Sequence, residues 1–226
     1  MTVSPMIAEE LINPLVPPLK PTDRSGLALD WMDEFRCNHL PVVSDGKFLG
    51  FVTYEVLVDG DSRDRLLGDL ILSGETCKVP ADAHFYEIMK TAADHRLQQV
   101  VVVNDLGLYE GVILSADVMT MFAQTASFQM PGSILVLSME LIHYSLAEIA
   151  RLVEENTCRI LSSALLDDPL DKARIRLILK TDQTDLSRVV ATLERFGHRV
   201  VGRYEGGRYG DADRERYDML MRYLNI

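Results

Sequence analysis

Few side chains of this sequence are spaced for chemistry. Cys37, Cys77 and Cys158 are far apart, odd in number and flanked by apolar residues. No Cys-x-x-Cys or Cys/His spacing accompanies them. They read as buried free thiols of a reducing cytosol, not as disulfide partners or zinc ligands. Asp167 and Asp168 fall at a turn and Asp211 and Asp213 in a tail, where solvated charge is expected. Glu205-Gly-Gly-Arg-Tyr-Gly lacks the strand-to-helix context and the lysine of a phosphate loop. No Gly-x-Ser-x-Gly, His-Glu-x-x-His or paired histidine ligands occur. The expectation is a protein that is not an enzyme and requires no cofactor or metal.

Composition narrows the class further. The chain of 226 residues is 47% hydrophobic and 25% charged, as folded globular proteins are. Its formal net charge of −11 repels phosphate backbones and anionic membranes unless a local basic patch intervenes. The nearest candidate, Arg203, Arg208, Arg214 and Arg216, is interleaved with Glu205, Asp211, Asp213 and Glu215. Neither nucleic acid nor membrane is expected as a partner. Met1 to Glu10 lacks the basic start and apolar core of a signal peptide, and Ile134 to Ile142 is too short to span a bilayer. A cytoplasmic location is expected.

An internal repeat supplies the elements. Pro21 and Pro80 are 59 residues apart, Asp45 and Asp105 are 60, and Gly50 and Gly111 are 61. In the first copy Leu27, Trp31 and Phe35 recur at helical spacing. Phe85, Ile88, Met89 and Ala92 do so in the second. Each helix gives way to a short apolar run, Pro41-Val-Val and Val100 to Val103. Hairpin turns follow at Asp45-Gly46 and Asn104 to Gly107. A second strand then leads into Tyr54 to Val58 or Ala116 to Ala123. The unit is α-β-β-α with an extended entry segment, and the two copies are expected to pair.

The pattern changes at a linker, Gln124 to Gly132. Beyond it, strand Ser133–Ser138 precedes helix Leu146–Asn156, opened by a Ser145/Glu148 capping box. Strands Arg159–Leu166 and Arg174–Thr181 flank a turn. Helix Leu186–Phe196, ended by Gly197, leads to strand Arg199–Tyr204. The order β-α-β-β-α-β is the split βαβ arrangement, whose sheet keeps one open face. From Asp211 to Ile226 a last helix is expected, with Tyr217, Leu220, Met221 and Leu224 on one side, docking across a dimer interface or else packing against its own chain. The fold class is therefore α+β: two α-β-β-α repeats, a ferredoxin-like βαββαβ domain and a C-terminal helix.

The first half resembles the paired CBS motif, or Bateman module. The resemblance rests on Val16-Pro-Pro-Leu-Lys-Pro-Thr-Asp, His39-Leu-Pro-Val-Val, Gly50-Phe-Val-Thr, Leu67-Gly-Asp-Leu-Ile and Gly111-Val-Ile-Leu-Ser-Ala-Asp-Val. It covers residues 4–126, with the first motif over about 4–60 and the second over about 66–126. Residues 133–206 look like an ACT domain by element order. The combination is similar to the acetoin-utilisation accessory proteins, which are regarded as regulatory.

That resemblance implies a ligand: AMP, ADP, ATP or S-adenosylmethionine in a cleft between the motifs. An aspartate six positions after the strand glycine would hold the ribose, a Thr or Ser at the third position would reach phosphate, and a lead-in residue of the other copy would complete the site. After Gly50 the sequence has Thr53 but Val56. After Gly111 it has Leu114, with the hydroxyl displaced to Ser115, and Asp117. The lead-in positions are Asn13 and Leu72. The Asp117 cleft, paired with Asn13, suits a nucleoside, whereas the Thr53 cleft looks closed to ribose. His39 could line a cleft. Asp117 also suits a helix start, and Thr53 could cap the following helix. An ACT-type amino-acid effector would meet His143, Tyr144 and Ser145.

Three functions stay open. The first is a regulatory, non-catalytic nucleotide sensor. The second is a ligand-free module for dimerisation and for docking a partner enzyme. The third is an amino-acid sensor. A homodimer is expected in each.

Overall fold

The computed structural model describes residues 6–59 and 62–205. It forms two compact units, one up to Phe122 and one from Ala123 onward. Among the described residues no helix is long and apolar enough to cross a membrane. The expected helix 211–226 lies outside the described residues.

In the first unit each repeat builds a helix, a hairpin and a second helix. The first has α1 (Ser25–Phe35), β1 (His39–Ser44), β2 (Lys47–Thr53) and α2 (Tyr54–Val58). The second has β3 (Lys78–Pro80), α3 (Phe85–His95), β4 (Gln99–Val103), β5 (Tyr109–Leu114) and α4 (Ser115–Ala123). The likeness extends to strain. Both α1 and α3 stop on an arginine in the left-handed region, Arg36 at φ 51° and Arg96 at φ 55°. A non-glycine residue there costs about 1–2 kcal/mol, which the packed strand that follows must offset.

The repeats hold together by exchanging their entry segments. Asn13, ahead of the first repeat, bridges Val112 of β5, while Leu19 runs parallel to Val42 of β1. Ser73, ahead of the second, bridges Phe51 of β2, while Val79 runs parallel to Val102 of β4. Each sheet alone is too small to bury its apolar residues. Strand β4 resolves this by being buried on both faces. Val101 and Val103 join the core of the first repeat with Leu40, Phe51 and Leu67, while Val100 and Val102 pack with Ile88 and Ile113.

The second unit is a four-stranded antiparallel sheet in the order β7-β8-β6-β9, from β6 (Ile134–Glu140), β7 (Ile160–Asp167), β8 (Arg174–Thr181) and β9 (Arg199–Tyr204). One face carries Leu135, Leu137, Leu177 and Leu179. They pack with Ile149 and Leu152 of α6 (Leu146–Glu154) and Val189 and Leu193 of α7 (Ser187–Arg195). Strand β8 alternates half-buried and buried residues along its whole length, so its other face is less covered.

Three local expectations are corrected. The linker contains a one-turn helix, α5 (Ala126–Gln129), which Pro131 prevents from continuing. The Thr53 side chain makes no cap bond to α2. Asp168 is not a solvated turn carboxylate. It is 9% exposed and takes a two-pronged bond from Arg176, Nε to Oδ2 at 3.0 Å and Nη2 to Oδ1 at 3.2 Å.

Candidate functional site

The repeat register sets His39, the first residue of β1, opposite Thr53, the last of β2. It likewise sets Gln99 opposite Leu114 in the second repeat. The two hairpins meet at these ends. The Asn38 N–H donates to Gln98 Oε1 at 3.0 Å, and the Gln99 N–H donates to His39 Nε2 at 3.3 Å. His39 is buried edge-on against Phe51, and burial pulls its imidazole below the usual histidine value.

A cavity of about 310 Å³ opens beside this junction. Thr53 and Glu55 come from the end of β2 and the start of α2, Ser73 from the exchanged entry segment, and His95 and Arg96 from the end of α3. Both repeats therefore form its wall. Ser73 bridges Phe51 as Asn13 bridges Val112, so the residue equivalent to Asn13 is Ser73 and not Leu72. The Thr53 side thus gains a second hydroxyl, and Glu55 supplies a carboxylate one position before Val56. An extended segment with one residue more or less before its bridge cannot be registered from sequence alone.

The Asp117 side has different geometry. Asn13 Nδ2 donates to Asp117 Oδ2 at 2.9 Å, and Asn13 Oδ1 accepts the Leu15 N–H. These two residues are thus brought together. Ser115, in contrast, turns its hydroxyl to the Leu97 carbonyl at 3.0 Å. The Ile12 side chain occupies the space above Gly111, where an added Cβ would meet its Cγ2 at 2.4 Å. The five sequence-selected residues divide accordingly. His39 and Thr53 share the cavity, Asn13 and Asp117 pair with each other, and Ser115 serves the backbone.

The second unit has its own cavity, of about 560 Å³, at the end of the sheet where β6 leaves and β8 and β9 begin. His143, Tyr144 and Ser145 line it together with Arg174, His198 and Arg199. Ser145 Oγ accepts the Glu148 N–H at 3.3 Å, and His143 Nδ1 is 3.9 Å from Glu140 Oε2. Arg174 reaches Ser138 through Nε to the hydroxyl and Nη2 to the carbonyl. His198 Nε2 is buried with no partner among the described residues. The last three lining residues lie far along the chain from the β6–α6 loop, and only the β8-β6-β9 order brings them there.

Among the described residues no group of three or more His, Cys, Asp or Glu side chains could hold a metal ion. The three cysteines are free thiols, and Cys77 and Cys158 are buried.

No family model matches the chain. Solved structures similar to it include a CBS domain pair/ACT domain protein from Thermotoga maritima, at 18% identity and TM-score 0.49, over 53% of this chain and 98% of that one. Another is the CBS domains of a transcriptional regulator from Streptococcus pneumoniae, at 21% identity and TM-score 0.46, over 50% and 97%. A third is CBSX2 in complex with AMP, at 18% identity and TM-score 0.45, over 52% and 96%.

Proposed function

We propose that this protein is a regulatory, non-catalytic small-molecule sensor that binds an adenine nucleotide or related nucleoside in its first unit. The observation that carries the reading is the cavity at Thr53. Its volume of about 310 Å³ falls within the range of small-ligand sites. Its polar groups are the ones a nucleotide needs. The Arg96 guanidinium and the Thr53 and Ser73 hydroxyls would receive phosphate, and the Glu55 carboxylate would accept from ribose hydroxyls. Because both repeats contribute walls, a ligand there bears on how they pack, which is what sensing requires. The Asp117–Asn13 pair is the lesser candidate, since one carboxylate oxygen is already engaged. The unit would act within a homodimer and on a partner enzyme, and free thiols suit the cytosol.

The test is thermal unfolding of the full chain with AMP, ADP, ATP or S-adenosylmethionine. A ligand at a hundred times its Kd stabilises by about 2.7 kcal/mol, which reads as a rise of a few degrees in Tm. No rise with any of them would reject the reading and favour a module that docks a partner enzyme without a ligand.

A second reading has its own observation. The cavity of the second unit sets Arg174 and Arg199 against Glu140 and Glu148, a pairing suited to the carboxylate and ammonium of an amino acid. A Tm rise with amino acids, abolished by Arg199→Ala, would establish it.

A further inference from the structure

The open face of the second unit's sheet is apolar where a sheet facing water is usually polar. Ile134 and Val136 of β6, Ile178 of β8, Leu166 of β7 and Tyr204 of β9 surround a groove of about 450 Å³. Leu166 is 51% exposed and Tyr204 64%. Gly202 keeps the groove floor low, because a Cβ there would stand 3.2 Å from Val136 and from the Tyr204 ring. Arg176 and Lys180 rise from the same face of β8, alternating with the buried residues of its other side.

We infer that this face is the seat of the chain's own segment 211–226. Three features point to that occupant. Tyr217, Leu220, Met221 and Leu224 fall on one side at helical spacing, an apolar stripe matched to an apolar groove. Asp213 lies one turn earlier on that same side, where its carboxylate would meet the cations of β8. The lengths also agree. Five residues, 206–210, can span about 17 Å from the end of β9. As a helix, the stripe from Tyr217 to Leu224 would measure about 11 Å, within the roughly 14 Å across four strands. Tyr204 pairs with Ile134, so the chain leaves β9 beside the groove itself. The inference is independent of any ligand in either unit.

Cysteine trapping on the full chain tests it. Leu220→Cys is combined in turn with Val136→Cys, Leu166→Cys and Ile178→Cys, and the unmodified chain controls for the three native thiols. After mild oxidation a disulfide within one chain is expected for at least one pair, read by peptide mass and by a monomeric band on a non-reducing gel. A link only between chains, or none in all three pairs, would overturn the inference. Leu220→Asp with Leu224→Asp should lower Tm by several degrees and raise binding of a hydrophobic dye severalfold. Both values unchanged would equally overturn it.

Discussion

At the scale of single residues, burial decides behaviour. His39 is buried and its imidazole is pulled below the ordinary histidine value by desolvation. Below about pH 6.5 the unfolded chain therefore binds a proton that the folded chain refuses. Stability contributed at this position is present above that pH and lost as pH falls through it. The second repeat has Gln99 at the equivalent place, so His39→Gln should flatten the loss of stability between pH 7 and pH 5, measured by urea unfolding. A steeper loss would contradict the assignment. Tyr109 makes a complementary case. Its hydroxyl is buried with no partner among the described residues, and burial pushes its pKa up to about 12. Tyr109→Phe removes that unsatisfied group and should raise stability by about 1 kcal/mol. The resemblance in the sequence implies Asp117, Thr53 and Asn13 as ligand contacts, because the pattern it supplies is read by short offsets from Gly111, Gly50 and the repeat boundary. It left Arg96, Ser73 and Glu55 out. Arg96 is the cap of a helix in the other repeat, and Ser73 and Glu55 each stand one position away from the place the pattern indicated.

At the scale of elements, the strands and helices follow from periodicity, and the exceptions have local causes. Strands β8 and β9 begin and end where alternation predicts, since a half-buried antiparallel strand writes its period directly into sequence. Strand β4 has no alternation because both of its faces are covered. The turn helix α5 is too short to show a period. Glycines mark the tight points unequally. Gly132 has φ +153°, and a Cβ there would lie 1.8 Å from the Thr181 carbonyl oxygen. Gly132→Ala should therefore cost more than about 3 kcal/mol, because backbone rather than a side chain must move. Gly107 has φ +73° but open space around it, and Gly107→Ala should cost only about 1–2 kcal/mol. Paired urea midpoints would show the difference. Equal losses would contradict the close approach at Gly132.

At the scale of the whole molecule, two units of different grammar share one chain. The repeat offsets of 59 to 61 residues made the first unit legible, and the βαββαβ order the second. What sequence could not show is the exchange of entry segments, because it depends on contacts nearly a hundred residues apart, such as Asn13 with Val112. That exchange moves the centre of the functional reading from Asp117 to the cavity at Thr53. The claim meets its most direct test in isothermal titration of the full chain with AMP, ADP, ATP and S-adenosylmethionine. Saturable heat is expected with an adenine ligand, with affinity weakened roughly tenfold or more by Arg96→Ala with Thr53→Val, as loss of a charged contact implies. Asp117→Asn should leave it within about twofold, since that group stands outside the cavity. Heat with none of the four, or binding that ignores the cavity variants and disappears with Asp117→Asn, would contradict it.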